Sequence, residues 1–156
     1  PHHEESPLSR EVRQIVRLHG TSLDGTKPTP YALMGIKGIG QRIAWAIVRR
    51  AGIDPNTRLG ALSEGELKKL EAIIEDPASW GLPTWLFNRR KDPRTGKDLH
   101  LLGSDLELQV KADIELMKEI RCWKGERHAR GLKVRGQRTK TTGRKGRTVG
   151  VVRKRR

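Results

Sequence analysis

The last 36 residues of this chain carry almost all of its excess charge. Residues 121–156 contain 15 Lys or Arg and one acidic residue, Glu126, which gives a net charge of +14 out of +15 for the whole chain. Apart from Trp123 this segment has few large apolar side chains, and Gly recurs along it. Such a composition cannot bury enough apolar surface to offset chain entropy. We therefore expect residues 121–156 to form an extended basic tail that orders on a polyanion and spans at most about 120 Å.

The remaining 120 residues are nearly neutral, with 18 Lys or Arg against 17 Asp or Glu. That length suits one small domain, which we place at 13–120. It follows an N-terminal extension, 1–12, whose sequence gives only weak structural signals. No apolar run is long enough to span a membrane, and residues 1–10 lack the apolar stretch of a secretory signal. The single Cys122 argues against a disulfide framework or a thiolate zinc site. We expect a cytoplasmic nucleic-acid-binding protein without metal, cofactor or membrane contact.

Glycine and capping patterns predict a mainly α-helical domain. Pro28–Pro30 begin a short helix through Met34, and a helix with Ile43 and Ile47 on its apolar face follows the 35–40 turn. Ser63 and Glu66 have capping-box spacing and begin a helix that ends before Pro77. These elements, about 28–76, predict two helices joined by a turn-rich segment. Trp45 is expected in its core.

The flanking segments are less strongly specified. Residues 12–18 allow a strand or a helix, and 20–25 indicate a turn. Residues 80–103 suggest a small β-hairpin insert, in which Trp80 and Trp85 either pack or present a partner surface. Ser104 and Glu107 have the spacing of a second capping box, which begins a long helix at about 104–121 with Glu107 paired to Lys111.

The turn Gly38-Ile39-Gly40 lies directly before a helix. Free amides at a helix N-terminus attract anions, and two glycines let a phosphate approach without meeting a Cβ atom. Lys37 and Arg42 add positive charge, and the spacing resembles that of helix-hairpin-helix nucleic-acid binders. The alternative is a glycine turn that only lets two elements pack closely.

The segment 124–137, Lys-Gly-Glu-Arg-His-Ala-Arg-Gly-Leu-Lys-Val-Arg-Gly-Gln, alternates cations with Gly and neutral hydrogen-bonding groups and continues to Arg144. Guanidinium groups bind phosphates bidentately and stack on bases, and Gly lets a backbone follow an irregular RNA surface. This stretch resembles the signature of the universal small-subunit ribosomal protein thirteen family. The 35–40 turn, the helices after it and 20–25 also resemble that family. Residues 85–102 and the 139–144 ending look like its archaeal and eukaryotic branch.

The resemblance implies a helix-two-turns-helix core with a long C-terminal tail, located in the head of the small ribosomal subunit. It implies binding to small-subunit rRNA, a bridge to a large-subunit protein, small-subunit ribosomal protein nineteen as a neighbour, and a tail that approaches the tRNA anticodon stem region. The residues expected to contact RNA are Lys37, Gly38, Gly40, Arg42, Arg121, Lys124, Arg127, His128, Arg130, Lys133, Arg135, Gly136, Gln137, Arg138, Lys140, Arg144, Lys145, Arg147, Arg153, Lys154, Arg155 and Arg156. The last four form the expected tRNA-proximal end.

Two other functions fit parts of the sequence. DNA glycosylases that share a helix-two-turns-helix use an N-terminal proline amine, and this chain begins with Pro1. However, the chain has no room for their catalytic β-domain, and one Cys cannot build their four-Cys zinc finger. An architectural protein that binds duplex DNA through the 38–40 turn and the tail is the second alternative.

Overall fold

A computed structural model describes residues 11–146 and 149–150 of the chain. The chain divides into two compact units, one extending to Leu108 and the other beginning at Gln109. Within the described residues the strands and α-helices are β1 (Ile15–Leu18), β2 (Thr21–Asp24), α1 (Thr29–Leu33), α2 (Gln41–Ala51), α3 (Glu64–Glu75), α4 (Gly103–Glu119) and α5 (Trp123–Ala129). The expected mainly helical fold is confirmed. The N-terminal residues 1–10 lie outside the described part.

The core of the first unit is built on α2 and α3, as their apolar spacing predicted. Helix α2 buries Ile43 and Ile47 on one face, and α3 buries Leu70 and Ile73. The Ser63 side chain accepts a hydrogen bond from the amide of Glu66, which is one half of the predicted capping box. Trp45 was expected in this core but is only half-buried, because it lies beside the buried face of α2.

The two-stranded sheet lies near the N-terminus. Strands β1 and β2 pair antiparallel in the register Val16 with Leu23, and Val16 and Leu18 point into the core. The turn predicted at 20–25 is therefore wrong in position, because His19 and Gly20 form the turn and both have positive φ. A two-residue turn of this kind matches the twist of the strands on either side.

The 80–103 insert forms one antiparallel bridge, Arg89 with Leu99, instead of a regular hairpin. The Asp92 amide also donates to the Lys97 carbonyl at 2.9 Å. Side chains add further bonds across the insert: the Asn88 amide bonds both the N–H and the C=O of Leu101, and Asp98 accepts from the Lys91 amide. The ends of the insert enter the core through Leu82, Phe87 and Leu102, which are buried.

Helix α4 starts one residue earlier than predicted, at Gly103, and ends at Glu119. The second capping box is not formed, because Ser104 lies inside the helix and the Glu107 carboxylate pairs with Lys37 instead of the expected Lys111. Helix α5 lies within the segment predicted as extended tail, so the irregular part of that segment begins after Ala129.

Candidate nucleic-acid interface

The N-terminus of α2 is the first candidate surface. Gly40 is its N-cap in an extended conformation, no side chain caps the helix, and its first turn has no acidic residue. A Cβ atom added at Gly40 would meet nothing within 4 Å. Uncapped amides and the positive end of the helix dipole favour an anion here, and Arg42 is exposed beside them. Gly40 therefore fits the phosphate-approach interpretation.

Gly38 serves a different purpose from Gly40. Its φ is +101°, and an added Cβ would lie 2.6 Å from the carbonyl oxygen of Leu101. Its own carbonyl accepts a hydrogen bond from Nε2 of His100 at 2.9 Å, while Nδ1 of the same ring accepts from the amide of Asn88 at 3.1 Å. These two bonds require the neutral ring, and burial lowers the pKa of His100. For Gly38 the packing interpretation is the one that the contacts favour.

Lys37 is not a free cation at this surface. Its Nζ lies 2.6 Å from Oε1 of Glu107, with both side chains more than half exposed. The hydrogen bond and the positive charge of Lys37 lower the pKa of Glu107. Since water screens an exposed pair of this kind, the pair is weak and Lys37 can exchange its partner for a phosphate at small cost.

The second candidate surface begins with α5. Its N-cap is Cys122, whose Sγ accepts from the amide of Gly125 and donates to the carbonyl of Met117, each at 3.4 Å. These contacts make Cys122 a structural thiol at the start of the helix. Gly125 is buried, and a Cβ there would lie 2.1 Å from the Met117 oxygen. Only glycine allows α5 to approach the last turns of α4 so closely.

Arg127 holds the chain that follows α5. Its guanidinium carbon lies 5.6 Å from the ring centroid of Trp123, and its Nε donates to the carbonyl of Lys133 at 2.9 Å. The amide of Leu132 donates to the Arg127 carbonyl at 2.9 Å, which closes a compact turn. Arg127 was predicted as an RNA contact, and the structure uses its Nε–H for a bond within the tail.

Most other described cations of the tail are exposed. Glu126 is the single acidic residue of 121–156, and it pairs with Arg130 at 2.9 Å. Other contacts here are between tail groups: the amide of Arg135 donates to Gln137 Oε1 at 2.9 Å, and Thr142 donates to the Arg138 carbonyl. The predicted RNA-contact side chains that are exposed are Arg121, Lys124, Arg130, Lys133, Arg135, Gln137, Arg138, Lys140, Arg144 and Lys145, whereas His128 is half-buried and Gly136 forms a turn with positive φ.

Five predicted contacts lie outside the described residues: Arg147, Arg153, Lys154, Arg155 and Arg156. In the part of the chain that is described, His, Cys, Asp and Glu side chains form no group of three or more able to hold a metal. The same residues contain no helix with the length and apolarity needed to cross a membrane.

Sequence reasoning did not bring Trp45 and Trp85 together. Trp85, predicted either to pack or to present a partner surface, is 67% exposed, and Trp45 and Trp85 line one groove. No spacing rule marks this pair, because Trp85 lies in a short 3₁₀ turn, Thr84–Leu86, whose position against α2 depends on the fold.

Known proteins resemble the chain along nearly its whole length. The family described as ribosomal protein S13/S18 matches residues 17–145. The small ribosomal subunit protein uS13 of Saccharolobus solfataricus is 55% identical over 94% of this chain and 89% of its own length. That of Staphylothermus marinus is 53% identical over 95% of this chain and 98% of its own. Both organisms are archaea, which agrees with the archaeal and eukaryotic branch predicted from residues 85–102 and 139–144. On this evidence the chain belongs to the ribosomal protein S13/S18 family.

Proposed function

We propose that this protein is a structural constituent of the head of the small ribosomal subunit, where it binds small-subunit rRNA. The observation that carries the proposal is the family match over residues 17–145, together with relatives named as small-subunit proteins. The role is architectural: the residues position RNA and make or break no covalent bond. We expect the protein to act in the cytoplasm while bound to the ribosome.

Two surfaces bind RNA in this proposal. At the first, the uncapped amides after Gly40 and the Arg42 side chain bind a backbone phosphate. Such a contact positions the protein on RNA without reading its sequence. At the second, the exposed cations of 121–146 neutralise several phosphates along an irregular RNA path. Because α5 packs closely on the end of α4 through Gly125, the tail leaves α4 in a defined direction.

The finer assignments extend the same proposal. The tail continues toward the tRNA anticodon stem near the decoding region, with 153–156 as its tRNA-proximal end. The globular part contributes to a bridge with a large-subunit protein, and small-subunit ribosomal protein nineteen is its neighbour. The absence of acidic residues after Glu126 supports a tail path lined by phosphate on all sides.

The experiment that tests this function is competitive binding of the full chain to small-subunit head rRNA against an equal mass of duplex DNA, over a range of salt. We expect a preference for the head rRNA that persists as salt rises, because charge attraction alone cannot distinguish two polyanions. Equal competition by the duplex would refute the proposal and support the architectural DNA-binding alternative.

A further inference from the structure

A groove with a volume of about 530 Å³ runs along the solvent side of α2, where the Thr84–Leu86 turn lies against the helix. Its lining residues are Gln41, Arg42, Trp45, Ala46 and Arg49 from α2, and Pro83, Trp85 and Leu86 from the insert. Only Arg42 among them belongs to the RNA surfaces proposed above. The volume lies within the range of about 300–1,000 Å³ that is usual for small-molecule sites.

Two indole rings form the apolar part of this groove. Trp45 is held by an edge-to-face contact with Tyr31, with ring centroids 6.2 Å apart and an interplanar angle of 85°. Trp85 projects from the short turn and stays largely exposed, whereas Leu86 beside it packs against the core. An anchored indole beside an exposed one provides flat apolar surface of the kind on which nucleobases stack.

The charged side chains of the groove are all cationic. Arg42 and Arg49 are exposed and seven residues apart on α2, which separates them by about 10 Å along the helix axis. No Asp or Glu lines the groove. The Gln41 amide adds one hydrogen-bond donor group and one acceptor, the combination that pairs with base edges. The positive charge of the two arginines favours a polyanion over a neutral or basic protein segment.

We propose that this groove binds one unpaired nucleotide of RNA, whose base lies against Trp85 and Trp45 while its flanking phosphates contact Arg42 and Arg49. The inference rests on the proposed rRNA-binding function, and it adds a base-contacting site to surfaces that otherwise contact phosphate. The interior of a double-stranded segment does not fit this site, because each internal base pair is already stacked on both faces.

The test uses NMR spectroscopy of the uniformly ¹⁵N-labelled full chain, whose four Trp residues give four indole N–H signals. The probes are hexa-adenylate RNA and an abasic ribose-phosphate hexamer of equal charge. We expect hexa-adenylate to shift the Trp45 and Trp85 signals and the abasic hexamer to leave them in place, while both hexamers shift tail amides. Equal shifts with both hexamers, or none at Trp45 and Trp85, would overturn the proposal.

Variants separate this site from the tail and from the proposed function. In Trp85→Ala the affinity for hexa-adenylate read at the Trp45 signal should fall about 5- to 150-fold, the range for loss of one stacked base. Ile15→Ala removes a similarly exposed apolar side chain on β1 and should leave that affinity unchanged. Arg49→Gln should weaken binding and Arg17→Gln should not. An unchanged affinity in both groove variants contradicts the site, whereas failure to prefer head rRNA in the competition assay contradicts the function instead.

Discussion

The same substitution at two glycines separated by one residue is expected to reduce mainly stability at Gly38 and mainly RNA affinity at Gly40. In Gly38→Ala the new methyl group lies 2.6 Å from the Leu101 oxygen and 3.0 Å from a methyl carbon of Leu102, at a φ of +101°. Overpacking costs typically about 1–3 kcal/mol and a side chain at such a φ costs about 1–3 kcal/mol. The free energy of unfolding should therefore fall by about 2–6 kcal/mol, a large part of the usual 5–15 kcal/mol.

Gly40→Ala is the matched control. The same methyl group meets nothing within 4 Å and the backbone is extended, so only the poorer N-cap propensity of Ala remains. We expect the free energy of unfolding to fall by under about 1 kcal/mol. The methyl group does cover the approach to the first amides of α2, so affinity for head rRNA should fall severalfold in this variant.

Urea unfolding followed by circular dichroism measures the first effect, and filter binding to head rRNA at fixed salt measures the second. Similar losses of stability in both variants would contradict the division of roles between the two glycines. Full RNA affinity in a folded Gly40→Ala protein would remove the phosphate site from the start of α2 and leave the tail as the RNA-binding surface.

Three further predictions concern pH and charge. Burial lowers the pKa of His100, so the neutral ring contributes its full stability above the ordinary pKa of 6.5 and this stability is lost as pH falls through the lowered pKa. Urea unfolding should therefore give a lower free energy of unfolding at pH 5 than at pH 7, and His100→Gln should abolish this difference. The hydrogen bond from Arg89 lowers the pKa of Asp92, so the ionised carboxylate stabilises the loop 92–97 above the ordinary pKa of 3.8, and this stability is lost as pH falls through the lowered pKa. Amide exchange in that loop should become faster as the carboxylate is protonated, and Asp92→Asn should remove the pH dependence. Deleting 121–156 should remove most of the salt dependence of rRNA binding, which scales as about 0.7–0.9 per phosphate neutralised, and an unchanged slope would place binding in the globular part.

Helices α2 and α3 could be predicted because the signals that mark them are local. Their buried residues recur at helical spacing, and each helix has its own signals at the ends, such as the Ser63 cap. The fold class followed from these signals. Packing of their buried faces in the common core supplies most of the stability of these helices, but the pattern that marks each one is complete within about a dozen residues.

The site could be predicted only in part, because its distinctions come from residues far along the chain. His100 contacts Gly38 across 62 positions, and Glu107 contacts Lys37 across 70. The sequence presented both glycines as equivalent and assigned Glu107 to a local cap. A local pattern cannot show which of two glycines a later segment packs against, and for that reason both interpretations of the 38–40 turn were needed.

Helix α5 shows how a basic, Gly-rich segment can begin with fixed structure. A seven-residue helix in a Gly-rich segment has little stability of its own, and here contacts to Met117 and the Arg127 bond to Lys133 hold it. The Arg127 bond to Lys133 and the Arg130 pair with Glu126 stay within the tail, and the exposed pair, like that of Lys37, is weak. The helix also shortens the tail, since seven helical residues span about 10 Å and the 27 residues after α5 reach at most about 90 Å. A tail that begins as a fixed helix is shorter but starts in a defined direction, which suits the path through folded RNA that we propose for it.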